Sequence, residues 1–225
     1  ADPGDLLVAN FRGNNILQYD ANTGEFKKQF VDSGSGGLYG PSDLTFGEDG
    51  NLYVSGQLTG NVLKYNGLTG EFIKKFTPDN LNEPWSLEFG PDGDLYVADN
   101  NGVKKYDGIT GKFISNFSSG GSFDFPLDLA FGPDGNLYVS SEDTHSILKY
   151  NGQTGAFIED FVPPHEGGLD APEKIVFGKD GNLYVASRLT HSIKRYNGLN
   201  GDFIDDFASS ENDELKDPWA LGFGN

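Results

Sequence analysis

Residues 126–150 read Pro-Leu-Asp-Leu-Ala-Phe-Gly-Pro-Asp-Gly-Asn-Leu-Tyr-Val-Ser-Ser-Glu-Asp-Thr-His-Ser-Ile-Leu-Lys-Tyr. Three short apolar runs, ending near Phe131, Val139 and Tyr150, are separated by Gly-Pro-Asp-Gly and by a polar stretch. Runs of this length, rich in aromatic and β-branched residues and bounded by Gly, Asn and Asp, are strands. Asp134-Gly135 between the first two is hairpin chemistry, because glycine accepts the positive φ of a tight turn.

The same order recurs along the chain. Phe-Gly returns at Phe46, Phe89, Phe131, Phe177 and Phe223, at spacings of 43, 42, 46 and 46 residues. An Asn/Asp-Leu-Tyr-Val strand follows at Leu52, Leu95, Leu137 and Leu183, with Leu6 as a variant, and a strand ending in Tyr comes next at Tyr19, Tyr65, Tyr106, Tyr150 and Tyr196. A fourth strand carries Phe-x-x-x-Phe from Phe26, Phe72, Phe113, Phe157 and Phe203. We label these strands A to D. Four antiparallel strands per repeat of this length predict a β-propeller blade. The fold class is therefore all-β, a five-bladed propeller forming one domain over residues 1–225. The chain opens on strand B and finishes on strand A (Trp219 to Phe223), so the last strand is expected to complete the first blade and hide both edges.

Residues 126–150 resemble the NHL-type propeller repeat, from Pro126 through the Asp134-Gly135-Asn136-Leu137-Tyr138-Val139 segment to Ile147-Leu148-Lys149-Tyr150. Such propellers include scaffolds, RNA binders, lyases and lactonases, so the resemblance implies architecture more than activity. Many members place Arg before the strand C Ile; here Asn15, Asn61, Gly102, Ser146 and Ser192 stand there.

The composition narrows the partners. Sixteen Lys and Arg against 34 Asp and Glu leave a formal charge of −18, which repels nucleic acid and anionic lipid headgroups. There is no Cys for disulfide, thiolate or zinc-thiolate chemistry, and no apolar run long enough for membrane insertion as a helix. There is no Met either, which suggests a processed chain or part of a larger protein, and a start at Ala1-Asp2 would suit signal-peptide removal. The expected setting is secreted or extracellular, as a monomeric domain.

Variation marks the ligand face. The A–B and C–D turns are nearly identical between blades, whereas the B–C and D–A loops differ, and binding on a repeated scaffold concentrates where the loops vary. That face is expected to carry Arg12, Gln57, Asp99, Asn100, Glu142, His145, Arg188 and His191, with Trp85 and Trp219 after the D–A loops. Two copies of Thr-His-Ser-Ile place His145 and His191 at matching positions in adjacent blades. Beside Glu142 and Asp143 they are the acid–base candidates if the protein is an enzyme. Streptogramin-lyase-like propellers are similar in using His, an acidic residue and a divalent ion. Duplication of a structural motif also explains the two His, and no Ser-His-Asp set is visible. Asp43, Asp128 and Glu173 near the starts of A strands, with Glu88 deeper, form an acidic set of the hard-oxygen type that suits Ca2+ or another divalent cation, as the resemblance to gluconolactonase-like propellers also implies. The leading reading is a non-catalytic extracellular binding scaffold for a protein, glycan or small-molecule ligand. The alternatives are a metal-dependent lyase or lactonase-type hydrolase and a lectin-like carbohydrate-binding module.

Overall fold

A computed structural model describes residues 5–78, 80–118, 120–122, 124–210 and 215–222. The chain is an all-β, five-bladed propeller, and its strands fall into five antiparallel sheets. The first contains β1 (Asp5–Asn10), β2 (Asn15–Asp20) and β3 (Phe26–Val31). The second contains β4 (Pro41–Phe46), β5 (Leu52–Gly56), β6 (Asn61–Tyr65) and β7 (Phe72–Lys75). The third contains β8 (Ser86–Phe89), β9 (Leu95–Asp99), β10 (Gly102–Tyr106) and β11 (Phe113–Asn116). The fourth contains β12 (Pro126–Phe131), β13 (Leu137–Ser141), β14 (Ser146–Tyr150) and β15 (Phe157–Val162). The fifth contains β16 (Pro172–Phe177), β17 (Leu183–Ser187), β18 (Ser192–Tyr196) and β19 (Phe203–Ser209). In each four-stranded sheet the strands lie in the order A, B, C, D.

Contacts divide the chain into two compact units, residues 1–99 with 105–115 and residues 100–104 with 116–225. Among the described residues the first sheet has three strands. Trp219 to Gly222 carry no strand pairing, and Phe223 to Asn225 lie outside the described residues, as do Ala1 to Gly4. The expected completion of the first blade therefore falls partly on undescribed chain.

The repeated residues form the core. Leu52, Val54, Leu63 and Tyr65 are buried in the first unit, and Leu137, Val139, Leu148 and Tyr150 in the second. In two of the Leu-Tyr-Val strands the Tyr is wedged between two Phe rings. Tyr138 meets Phe161 of its own sheet and Phe177 of the next sheet edge-on, both at 4.9 Å. Tyr53 does the same with Phe76 and Phe89, at 4.8 and 4.9 Å. Edge-to-face packing adds to the area that such rings bury.

The Asp-Gly turns have a second use. Tyr138 donates its hydroxyl to Asp134, and Lys149 lies over the Tyr138 ring with its ammonium 3.0 Å from the same carboxylate. Asn136 donates from backbone and side chain. These donors outweigh burial and hold the Asp134 carboxyl down at about 2. The Asp49 turn repeats the arrangement with Tyr53 and Lys64.

Candidate functional site

In three blades the B–C loop begins where strand B ends, and its first backbone N–H groups reach the D–A loop that leads into the blade's own strand A. Gln57 N–H donates to Gly40 O, Glu142 N–H to Phe125 O, and Arg188 N–H to Ala171 O. Gly40, Phe125 and Ala171 all have positive φ and stand immediately before the first residue of β4, β12 and β16. The loops are thus knotted to the strand starts by main-chain bonds.

The two expected acid–base histidines belong to this knot. His145 and His191 adopt left-handed backbone at φ 53° and 54°. His145 Nδ1 accepts the Ala171 N–H at 3.1 Å, and His191 Nδ1 accepts the Asp217 N–H at 3.1 Å. Their carbonyls accept from the following D–A loops, at His165 N and Ser210 N. The first blade reaches the same result with Asn14, also left-handed, whose Oδ1 accepts the Gly40 N–H at 2.9 Å. Glycine takes the position in the second blade: Gly60 has φ 65°, and its carbonyl accepts the Leu81 N–H. A left-handed residue with a short side-chain acceptor is what this corner selects, and Asn tolerates that conformation well. Sequence reading missed Asn14, and the signal was its register one residue before Asn15-Ile16, matching His145 before Ser146-Ile147.

His145 and His191 also meet other side chains. His145 lies stacked on His165 at 4.4 Å between ring centroids, with Asp170 Oδ1 2.9 Å from Nδ1. His191 has Asp217 Oδ1 3.3 Å from Nδ1. Asp143 is exposed and contributes its backbone N–H to Asp124 O.

Glu142 joins a different group. Arg188 hydrogen-bonds Glu142 through Nη2 and Glu173 through Nε, the second at 2.7 Å. Glu173 is buried, Glu142 and Arg188 are half-buried, and the Arg188 guanidinium lies over the Trp219 ring at 5.2 Å. Burial pushes the Glu173 carboxyl up to about 7 against the pull of Arg188, and the charges of Glu142 and Asp128 push the same way as burial. This group draws together residues that the sequence suggested separately as acid–base, metal and ligand residues. Glu142 and Arg188 are the first loop residues after β13 and β17, so the structure brings them together from adjacent blades.

The acidic set has other work. Asp128 is buried; its Oδ1 accepts from the Lys174 ammonium and its Oδ2 from the Ile175 N–H, each at 2.9 Å. Asp43 Oδ2 accepts from Ser86 Oγ at 3.0 Å and Leu87 N at 3.1 Å. In both cases the carboxylate near the start of one strand A binds the matching residues of the next. Glu88 lies further along β8, paired in register with Tyr96. Among the described residues no group of three or more His, Asp or Glu side chains is arranged to hold a metal. These carboxylates already accept from an ammonium, a hydroxyl and amide N–H groups, whereas calcium takes six to eight oxygen ligands.

The remaining expected residues stay dispersed. Arg12 is exposed in the short 3-10 turn Phe11–Gly13. Gln57 is buried, and Asp99 is fully buried with its Oδ2 accepting the Asn82 N–H at 2.9 Å. Asn100 and Trp85 are half-buried, while Trp219 is 58% exposed.

Known structures share the architecture. A streptogramin B lyase superposes with a TM-score of 0.70 at 19% identity, covering 91% of this chain and 65% of that one. A catalytically inactive virginiamycin B lyase from Staphylococcus aureus, solved with quinupristin, gives 0.68 at 18% identity, covering 91% and 66%. A protein of unknown function from Bacteroides caccae gives 0.69 at 16% identity, covering 91% and 72%. The chain thus spans just under two thirds of the two lyases' length. No family model and no curated protein matches the sequence. At these identities, what the chain shares with the lyases is the β-propeller fold.

Proposed function

We propose that this protein is a non-catalytic binding module that takes a protein, glycan or small-molecule ligand on its B–C and D–A loop face. One observation carries the reading: the Nδ1 atoms of His145 and His191 accept backbone N–H groups of the neighbouring loops. A ring whose Nδ1 is held by the N–H and carboxylate groups of a neighbouring loop is a structural latch that ties two loops together. The exposed Trp219 ring and the Arg188–Glu142 pair beside it offer an aromatic face and a planar hydrogen-bonding edge to a ligand.

A lyase is the second reading. The buried Glu173 carboxyl, pushed up to about 7, titrates where a general acid or base works best, and the lyases share the fold. The deciding experiment incubates the protein with quinupristin, with and without divalent cations, and follows product by mass spectrometry. A parallel thermal-shift screen covers glycans and metabolites. The binding reading expects intact quinupristin and a stabilising ligand whose effect is lost in Arg188→Ala. Turnover that disappears in Glu173→Gln or His145→Ala would replace it with the lyase.

A further inference from the structure

Strand D is the last strand of every sheet, and among the described residues no further strand pairs with its outer side. Its three central residues, between the two Phe of the repeat, change charge along the chain. They are Lys27-Lys28-Gln29 in β3 and Ile73-Lys74-Lys75 in β7, then Ile114-Ser115-Asn116 in β11. They become Ile158-Glu159-Asp160 in β15 and Ile204-Asp205-Asp206 in β19. The first two edges are therefore basic, the third neutral and the last two acidic. In a chain of charge −18 with only 16 Lys and Arg, four Lys on two edges are a concentration.

Most of these side chains are exposed, while Lys74 is half-buried and donates to Thr110 O at 3.4 Å. Lys27, Lys28 and Lys75 are exposed, as are Ile73, Ile158, Glu159, Asp160, Ile204 and Asp206. The stems of Lys28 and Lys74 cover Phe30 and Phe76, with the ammonium groups 5.3 and 5.0 Å from the ring centroids. Lys27 also pairs with Asp5 at 2.9 Å. On the acidic side, Lys194 and Arg195 pair with Asp206 and Asp205, and Lys149 approaches Glu159 at 3.9 Å. The fourth sheet's edge, with Asp160 and the loosely held Glu159, thus keeps more of its negative charge than the fifth.

An open strand edge is a template for another strand, and like charges on it block pairing with its own kind. Here each edge repels a copy of itself, while the basic edge and the acidic edge complement one another. Laid antiparallel, β7 on β15 sets Lys74 opposite Asp160 and Lys75 opposite Glu159. The same register sets Ile73 opposite Phe161 and Phe76 opposite Ile158.

From this pattern we propose that the protein self-associates head to tail, the basic D edge of the first two sheets of one copy docking on the acidic D edge of the fourth sheet of a second copy. The contact is heterologous, so its product grows with concentration instead of stopping at a symmetric dimer. Salt separates it from the general field. Copies of charge −18 repel, and screening that repulsion would favour association. Docking through complementary edges weakens as salt rises, since the screening length falls from about 10 Å at 0.1 M to about 3 Å at 1 M.

The test is sedimentation velocity on the full chain over about a hundredfold range of concentration at low and high salt. The expected result is a weight-average mass that climbs with concentration at low salt and collapses to the monomer at high salt. Lys74→Glu with Lys75→Glu should abolish the climb, as should Glu159→Lys with Asp160→Lys, and mixing the two double variants should restore association. Circular dichroism and melting curves establish that each variant is folded. If the acidic-edge reversal unfolds, Glu159→Gln with Asp160→Asn replaces it and should weaken association about tenfold. A monomer at every concentration and salt would overturn the proposal. So would association that strengthens with salt, or folded reversed variants that associate like the wild type.

Discussion

His145 and His191 show how a residue chosen for its backbone can imitate one chosen for chemistry. Their shared role with Asn14 makes a sharp prediction. His145→Asn should keep wild-type stability, because Asn suits the left-handed corner and its Oδ1 can accept the Ala171 N–H, as Asn14 does for Gly40. His145→Ala should lose about 1–2 kcal/mol, from the lost acceptor and the strained φ of 53°. Urea unfolding of the two variants checks this, and equal losses would show that the ring itself packs the corner. Glu173 titrates in a different window. Its carboxyl is raised in the fold from 4.5 to about 7, so between those values the folded protein holds a proton that the unfolded chain has released. Stability should therefore fall as pH rises through that interval, by up to about 1.4 kcal/mol per pH unit, and level off above 7. Glu173→Gln should flatten this slope in unfolding measured from pH 4.5 to 7.5, a range set by the same shift.

The hairpin turns decide the element scale. Gly135 sits in the A–B turn at φ 75° with open space around it. Gly152 sits in the C–D turn, where an added Cβ would stand 1.8 Å from the Gly135 carbonyl oxygen. The two turns of a blade thus pack backbone on backbone. Gly135→Ala should cost about 1 kcal/mol for its conformation alone. Gly152→Ala should cost several kcal/mol, because a main-chain oxygen cannot move aside as a flexible side chain can. Thermal unfolding of both variants measures the difference, and similar midpoints would mean that the turns separate easily. Gly135 was legible as a turn residue in the sequence, in Asp134-Gly135. The unequal importance of the two glycines was not, because it depends on which turn lies against which.

Between neighbouring sheets the polar link is a carboxylate, with Asp43 binding Ser86 and Leu87, and Asp128 binding Lys174 and Ile175. Asp128 is buried, so its removal takes the Oδ1 acceptor from Lys174 and the Oδ2 acceptor from the Ile175 N–H. Asp128→Ala should destabilise by about 3 kcal/mol, whereas Asp128→Asn, which keeps an oxygen for the Ile175 N–H, should lose less. Calorimetry of the two variants tests the link, and a neutral Asp128→Ala would show that the aromatic wedges around Tyr138 hold the sheets unaided. The same comparison bears on the sequence expectation of a cation at Asp43, Asp128 and Glu173. Each of these carboxylates accepts hydrogen bonds from a neighbouring strand or from Arg188.

The sequence alone determined the blade count, the strand order and the core. Those follow from local period, turn chemistry and repetition, which act between residues close along the chain. Leu-Tyr-Val and the terminal Tyr are buried where the repeat placed them, but only the second Phe of the pair joins them (Phe30, Phe76, Phe117, Phe161), while the first stays exposed at Phe26, Phe72 and Phe113 because strand D is the outermost of its sheet. The use of the polar residues was decided only by tertiary structure. Glu142, Glu173 and Arg188 lie on different elements, and their meeting depends on the offset between adjacent blades. His145 and Asp128 looked like chemistry because their partners, the Ala171 and Ile175 N–H groups, are main-chain atoms that every residue but proline carries, so no residue letter marks them. A side chain's composition tells what it can bond to, and only the fold decides which bond it makes.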